Sequence, residues 1–188
     1  MKTVYLTIDI QRDYFPSGKF PLFRAQTALN NTLKILKWAR EQNAPIYHIR
    51  HQGNDQARFL RTGTPGVELH PRLQTIQFPQ ESLIDKKFPD AFLGTNLEDL
   101  LQEQKPECVV WMGMMTWMCV DTTVRSAKAK GFNNILIGDA CASGWMLRTL
   151  PVFPWSSQRS FLAALSYHHA QVLTARQYLK AVSTGHSS

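Results

Sequence analysis

The chain has 188 residues, 44% of them hydrophobic and 19% charged, with a formal charge of +7. That length suits one domain with a sizeable core, and the composition excludes a disordered tail or a fibre. No apolar run approaches the ~20 residues that a membrane-spanning helix requires, and the N-terminal stretch lacks the long apolar region of a signal peptide.

Val4 to Ile8 is a β-branched and aromatic-rich run ending at Asp9, which predicts a short buried strand. A loop with Pro16, Gly18 and Pro21 follows. From Gln26 to Gln42, Leu29, Leu33, Leu36 and Ala39 keep helical spacing and predict an amphipathic helix. Ala44-Pro45 breaks it, and Ile46 to Ile49 reads as a second strand. Residues 51 to 80 carry several glycines and prolines and read as loop, with Leu83-Ile84 the end of a short strand leading into Asp85-Lys86-Lys87. Thr95-Asn96-Leu97-Glu98 has capping-box spacing and predicts a helix through Leu100 and Leu101.

Cys108 to Met112 reads as a buried strand closed by Gly113. Val120, Val124 and Ala127 then give helical spacing up to Gly131. Ile135 to Ile137 is another strand, ending at Gly138-Asp139, and a loop with Gly144, Pro151 and Pro154 follows it. Amphipathic stretches at Phe161 to His169 and Ala175 to Val182 flank a short Val172-Leu173 strand. Strands alternating with helices predict an α/β fold, a three-layer α-β-α sandwich around a mostly parallel, doubly wound, Rossmann-like sheet. Residues 1–182 form a single domain in this reading, and 183–188 a flexible C-terminal tail.

The lysines and arginines are scattered over several elements, without the clustering of a nucleic-acid surface, so no nucleic-acid partner and no membrane partner is expected. Cys108, Cys119 and Cys141 are an odd number at wide spacing, which argues for a reducing compartment and a cytoplasmic protein.

Ligands of such sheets bind beyond the carboxyl ends of the strands. Asp9, Lys86 and Cys119 each stand just past an apolar run. Cys119 lies between a buried strand and a helix, where free backbone N–H groups and a nearby cation such as Lys86 lower a thiol pKa and stabilise an oxyanion. The alternative is a small hydrophobe packed at a helix start. Asp9 can equally cap a turn, and Lys86 can be a surface lysine like its neighbour Lys87. Cys108 and Cys141 read as packing. His48 and His51 are three apart on or just past a strand, which sends them to opposite faces. With no Asp-x-His, His-x-His or CxxC present, no metal and no cofactor is expected.

Four blocks resemble the isochorismatase-like cysteine hydrolases, the superfamily of nicotinamidases, N-carbamoylsarcosine amidase and ureidoacrylate amidohydrolase. They are Ile8-Asp9-Ile10-Gln11 with Phe15, Lys86 to Leu97, Gly113 to Thr123, and Ala127 to Gly131 continuing to Asp139-Ala140-Cys141-Ala142. The resemblance implies a triad of Asp9, Lys86 and Cys119, an oxyanion hole from the backbone N–H groups of Met115 and Cys119, and a cis peptide between Met114 and Met115. It implies hydrolysis of a small amide or ureide-type C–N bond through a Cys119 thioester. The alternatives are isochorismatase-type vinyl ether cleavage or a catalytically silent ligand-binding relative. The metal-holding Asp-x-His of nicotinamidases is missing around His48 to Gln52, and a carrier segment of the kind often fused to isochorismatases is missing too. Gln11, Phe15, Trp117 and Met118 are expected to line the substrate pocket. Family members are usually homo-oligomers, so a dimer or tetramer is expected, and of two readings of the apolar 144–156 segment, packing on its own domain or closing a neighbouring subunit's pocket, the second is favoured.

Overall fold

The computed structural model describes residues 1–73, 78–145 and 151–185. Six strands form one sheet: β1 (Thr3–Ile8), β2 (Ile46–His51), β3 (Glu81–Lys86), β4 (Cys108–Met114), β5 (Asn134–Ala142) and β6 (Gln171–Leu173). Their order is β3-β2-β1-β4-β5-β6, and every pairing is parallel. The chain therefore starts in the middle, builds outward to β3, then crosses back to lay β4 on the free edge of β1. This reversal opens a crevice between the carboxyl ends of β1 and β4, the place where ligands of open α/β sheets bind.

Five helices cover the sheet: α1 (Ala25–Glu41), α2 (Leu97–Gln104), α3 (Asp121–Ala129), α4 (Pro154–His168) and α5 (Ala175–Ser183). On one face Leu29, Ile35 and Leu36 of α1 and Tyr178 of α5 pack with Tyr5, Val110 and Met112. On the other, Leu97 and Leu101 of α2, Val124 and Ala127 of α3 and Leu165 of α4 pack with Leu6, Ile8 and Trp111. Successive residues of β1 and β4 thus feed opposite cores. That explains why both strands read as unbroken apolar runs rather than alternating ones. Among the described residues, no helix is long and apolar enough to cross a membrane.

Several local expectations need correction. The capping box at Thr95 does not form. The Thr95 hydroxyl turns back to the Ala91 carbonyl at 2.6 Å, Asn96 takes the cap position, and Glu98 pairs with Lys130 at 2.6 Å instead. The capping box that does form belongs to α5, between Thr174 and Gln177. Strand β5 runs on through Asp139 to Ala142, because a register shift opposite Trp111 and Gly113 lets its far end pair again with β4. Helix α4 starts at Pro154, a residue suited to a first helical turn, in a stretch whose prolines read as loop. Ser183 still belongs to α5; residues 186–188 of the expected tail, and 146–150 of the apolar segment, lie outside the described residues.

Gly113 fixes the crevice. Its φ of +141° suits glycine, and a Cβ built on it would collide with the Ile8 carbonyl, one residue before Asp9. Gly63, by contrast, has φ +78° and open space around the missing Cβ. Gly63→Ala should therefore cost only the left-handed backbone penalty, about 1–2 kcal/mol. Gly113→Ala adds a backbone collision between the two central strands and should exceed about 4 kcal/mol. Urea unfolding of both variants checks the difference, and similar losses would refute the placement of Gly113.

Candidate active site

The crevice is built from strand ends. Asp9 follows β1 in a left-handed conformation, φ +50°, which aspartate tolerates better than most residues. Its N–H still donates to the Ile49 carbonyl at 3.0 Å, while its own carbonyl accepts from Gln11. Lys86 ends β3, and its register partner on β2 is His51. The next residues, Gln52 and Gly53, continue β2 out of the sheet into the loop.

Lys86 reaches across β2, and its Nζ lies 2.8 Å from Asp9 Oδ2, with both side chains fully buried. It also donates to the Phe88 carbonyl at 3.0 Å and lies 3.3 Å from His51 Nδ1. Apart from the Lys86 ammonium, no N–H or O–H donor among the described residues reaches either Asp9 oxygen, so the ion pair is the carboxylate's principal contact. An acceptor buried this way is costly unless a further donor comes to it.

The donor at hand is Cys119. Beyond the cis peptide between Met114 and Met115, the chain makes a five-residue π turn, Thr116–Val120, before α3 begins at Asp121. The turn places Cys119 Sγ, a carboxylate oxygen of Asp9 and a ring nitrogen of His51 within 4.8 Å of one another. Such spacing could suit a metal ion. However, Lys86 Nζ already touches Asp9 and His51, so the positive charge of the cluster is supplied by the chain itself and a second cation would be repelled.

The electrostatics differ from the expectation of a depressed thiol pKa. Burial pushes the Cys119 thiol up, the Asp9 charge pushes it further, and Lys86 offsets only part of this. The π turn explains the difference in part: Cys119 sits buried on it, two residues ahead of α3, not on the solvated first turn of a regular helix. For Lys86, burial acts against the charge, but Asp9 and Cys119 outweigh it and raise the ammonium above its ordinary value. Tyr14, wholly buried nearby, is raised well above the phenol range by burial, then by Cys119 and Asp9. The resting cluster is therefore a neutral thiol beside a carboxylate–ammonium pair.

The residues expected in a pocket divide. Gln11 gives its whole amide to the backbone. Its Oε1 accepts from His51 N at 2.9 Å, and its Nε2 donates to the His51 and Val67 carbonyls at 2.9 and 2.6 Å. Phe15 is buried against His70, with ring centroids 4.3 Å apart. Trp117 and Met118 are half-buried on the π turn, and Trp117 Nε1 donates to the Gly144 carbonyl at 3.3 Å. Trp145, Phe153 and Trp155 expose about half their surface and contact one another ring to ring. Cys108 and Cys141 lie buried, away from the cluster, with thiols pushed up to about 11 and about 12 by burial.

Sequence reasoning missed two residues. His51 faces Lys86, whereas His48 lies on the opposite face, bonded to Thr7 at 2.8 Å and close to Glu81. The odd spacing separated the pair, yet it did not say which of them faced the crevice. Gln158 of α4 was also missed. Its Oε1 lies 2.6 Å from the Thr116 hydroxyl and 2.8 Å from that of Ser143, and its Nε2 donates to the Gly138 and Cys141 carbonyls. One side chain thereby ties the turn that carries Cys119 to β5.

A family model described as Isochorismatase domain matches residues 3–146. The isochorismatase family protein YddQ of Bacillus subtilis, itself uncharacterised, is 38% identical over 183 residues, 96% of this chain and 100% of that protein. A streptothricin hydrolase of Streptomyces noursei is 33% identical over 138 residues, 73% of this chain and 53% of that protein. The crystal structure of a putative isochorismatase hydrolase from Oleispira antarctica superposes with a TM-score of 0.89 at 30% identity, covering 95% of this chain and 96% of that one. With a family model spanning both central strands and the π turn, and relatives matched almost end to end, the chain belongs to the isochorismatase family of hydrolases.

Proposed function

We propose that this hydrolase cleaves a C–N bond of a small amide or ureide through a covalent Cys119 thioester. The observation that carries the proposal is the buried Asp9–Lys86 pair, 2.8 Å apart, with an underbonded carboxylate close to the only thiol in the crevice among the described residues. A neutral thiol next to an acceptor-poor carboxylate is arranged for proton transfer in the transition state rather than for a standing thiolate.

Asp9 takes the Cys119 proton as sulfur bonds to the substrate carbonyl carbon. The carbonyl π electrons move to oxygen, and the backbone N–H groups of Met115 and Cys119 receive that oxyanion. Gain of that proton neutralises Asp9, and Lys86 then stabilises the negative charge passing through sulfur. Collapse of the adduct breaks the C–N bond, and Asp9 returns its proton to the departing nitrogen. An amine leaves poorly as an anion, so an acid at that position is what a C–N substrate requires. Water then attacks the thioester, giving its proton to Asp9. The acid leaves as the C–S bond breaks, and Asp9 re-protonates sulfur. The hydrolase named among the relatives supports hydrolysis as the reaction type. Trp117 and Met118 of the same turn flank the entering substrate.

Screening small amides and ureides for ammonia or amine release tests the proposal. Cys119→Ala should abolish release of any product the parent liberates while the fold survives, because the change removes a single buried sulfur. With the parent enzyme, rapid acid quench should trap an acyl group on the Cys119 peptide by mass; turnover retained in Cys119→Ala would sink the reading.

The ion pair also makes a stability prediction. Lys86→Met strands Asp9 as an unpaired buried carboxylate and should cost about 3–5 kcal/mol at neutral pH. Adding Asp9→Asn should recover much of that loss, since no charge remains uncompensated. In the parent, Lys86 is raised above its ordinary value, so its contribution is complete below the unfolded lysine pKa and lost as pH rises through the folded one. Urea midpoints of the two single variants and the double variant, taken on both sides of that window, measure the coupling. Additive losses would mean that the pair is not what holds these side chains.

A further inference from the structure

The proposed mechanism uses Asp9, Lys86 and Cys119 but leaves a fourth polar group in the crevice unexplained. An ammonium has three N–H bonds to place. Lys86 directs them at Asp9 Oδ2 at 2.8 Å, the Phe88 carbonyl at 3.0 Å and His51 Nδ1 at 3.3 Å, with the Cys119 sulfur a fourth neighbour on the Asp9 side. An ammonium cannot accept a hydrogen bond, so Nδ1 must be the acceptor and the imidazole must be neutral, with its proton on Nε2. Its backbone cannot drift: Gln11 bonds both the N–H and the carbonyl of His51, and β2 pairs His51 directly with Lys86.

We infer that His51 is a positioning residue that holds the third Lys86 N–H bond, and that protonation of its imidazole switches the site off. The inference rests on Cys119 being the nucleophile and Asp9 its base. With His51 neutral, Lys86 is held from three sides and stays in place when Asp9 takes the thiol proton and loses its charge. With His51 protonated, Nδ1 becomes a donor aimed at an ammonium. The hydrogen bond is lost, two positive charges stand about 3 Å apart, and Lys86 and the imidazolium compete for Asp9.

The charged and titratable groups around the ring come from three elements. They are Lys86 at the end of β3, Asp9 after β1, and Cys119 on the π turn, with the Phe88 carbonyl the polar backbone group beside them. On its own strand Arg50 is occupied by Asp85 and Glu68. Burial and then the Lys86 charge push the ring below the ordinary histidine value, while Asp9 acts the other way. The ring is therefore neutral at neutral pH and takes its proton on the acid side. Activity should be full above that range and should fall as pH drops through it.

Alkylation of Cys119 by iodoacetamide, read by peptide mass from about pH 4.5 to about pH 8, tests this without a substrate. In the parent protein the rate should fall on the acid side. In His51→Gln the side-chain carbonyl accepts the Lys86 proton at every pH, so the acid-side midpoint should move down by about one unit or more with the neutral rate largely kept. In His51→Ala the third bond is lost at all pH, and the neutral rate should fall about tenfold. Cys108 and Cys141, as buried as Cys119 but without the Asp9–Lys86 pair beside them, should label only on unfolding, which separates a misfolded variant from a mispositioned lysine. His51→Asn serves with the same readout if the glutamine variant labels throughout.

An unmoved acid limb in His51→Gln, with Asp9→Asn still silencing Cys119, overturns the role of His51 and leaves the thioester reading standing. A parent Cys119 no more reactive than Cys108 overturns both.

Discussion

The buried contact between Asp9 and Lys86 is the constraint around which the rest of the crevice is arranged. Removing two opposite charges from water costs several kcal/mol per ion, and their attraction offsets this only where geometry and further hydrogen bonds are good. Here the ammonium is well supplied and the carboxylate is not: Lys86 has Phe88 and His51 besides its ion pair, whereas Asp9 has only Lys86 and the Cys119 thiol among the described residues. A pair built for stability alone would satisfy both ends. Leaving the carboxylate short of donors keeps acceptor capacity free next to a thiol, at a cost that the surrounding packing of β1, β3 and β4 must carry.

That packing explains why the sheet needs its particular order. Asp9 and Cys119 lie 110 residues apart in the chain and meet because β1 and β4 are neighbours across the switch in winding direction. Lys86 stands two strands away from Asp9, and a lysine side chain is long enough to cross β2 and arrive from the side. A shorter cation donor on β3 could not do so. The close approach of β4 to β1 needs Gly113, where a side chain would meet the backbone that leads into Asp9. On the far side, Gln158 ties the π turn to β5. One glycine and one glutamine, neither of them a reacting group, thus decide where the sulfur and the carboxylate stand.

Much of this was legible in the sequence. The unbroken apolar runs at Val4 to Ile8 and Cys108 to Met112 carried the parallel sheet, because strands buried on both faces need apolar residues at every position. The family's four motif blocks singled out Asp9, Lys86 and Cys119 before any geometry was known. What was not legible depended on contacts between distant segments. The Thr95 capping box failed because Ala91 and Lys130, both outside the motif, offered its two members other partners. The end of β5 read as loop because its polar Asp139 is bonded by helix residues that sequence proximity does not reveal, Asn31 of α1 and Ala175 of α5. His51 and Gln158 escaped notice for a similar reason. Each acts through hydrogen bonds to partners at long sequence separation, and neither carries a local pattern.

The direction of the thiol shift changes how the site is understood. A cysteine at a helix start beside a lysine reads as a ready-made thiolate, since a cation and a helix terminus both favour the anion. Desolvation in an enclosed crevice is stronger than either, and the adjacent Asp9 charge adds to it, so the sulfur rests as a thiol. In the proposed mechanism, sulfur becomes nucleophilic only as an electrophilic carbon arrives and Asp9 takes the proton in the same step. On that proposal, fixing the ammonium matters more than lowering any standing pKa, since Lys86 would have to meet the charge wherever it resides, on carboxylate before the transfer and on sulfur or oxyanion after it. A lysine anchored from Asp9 alone would lose its anchor at the moment of the proposed transfer, and the contacts to Phe88 and His51 would be what keeps it in place through that change of charge.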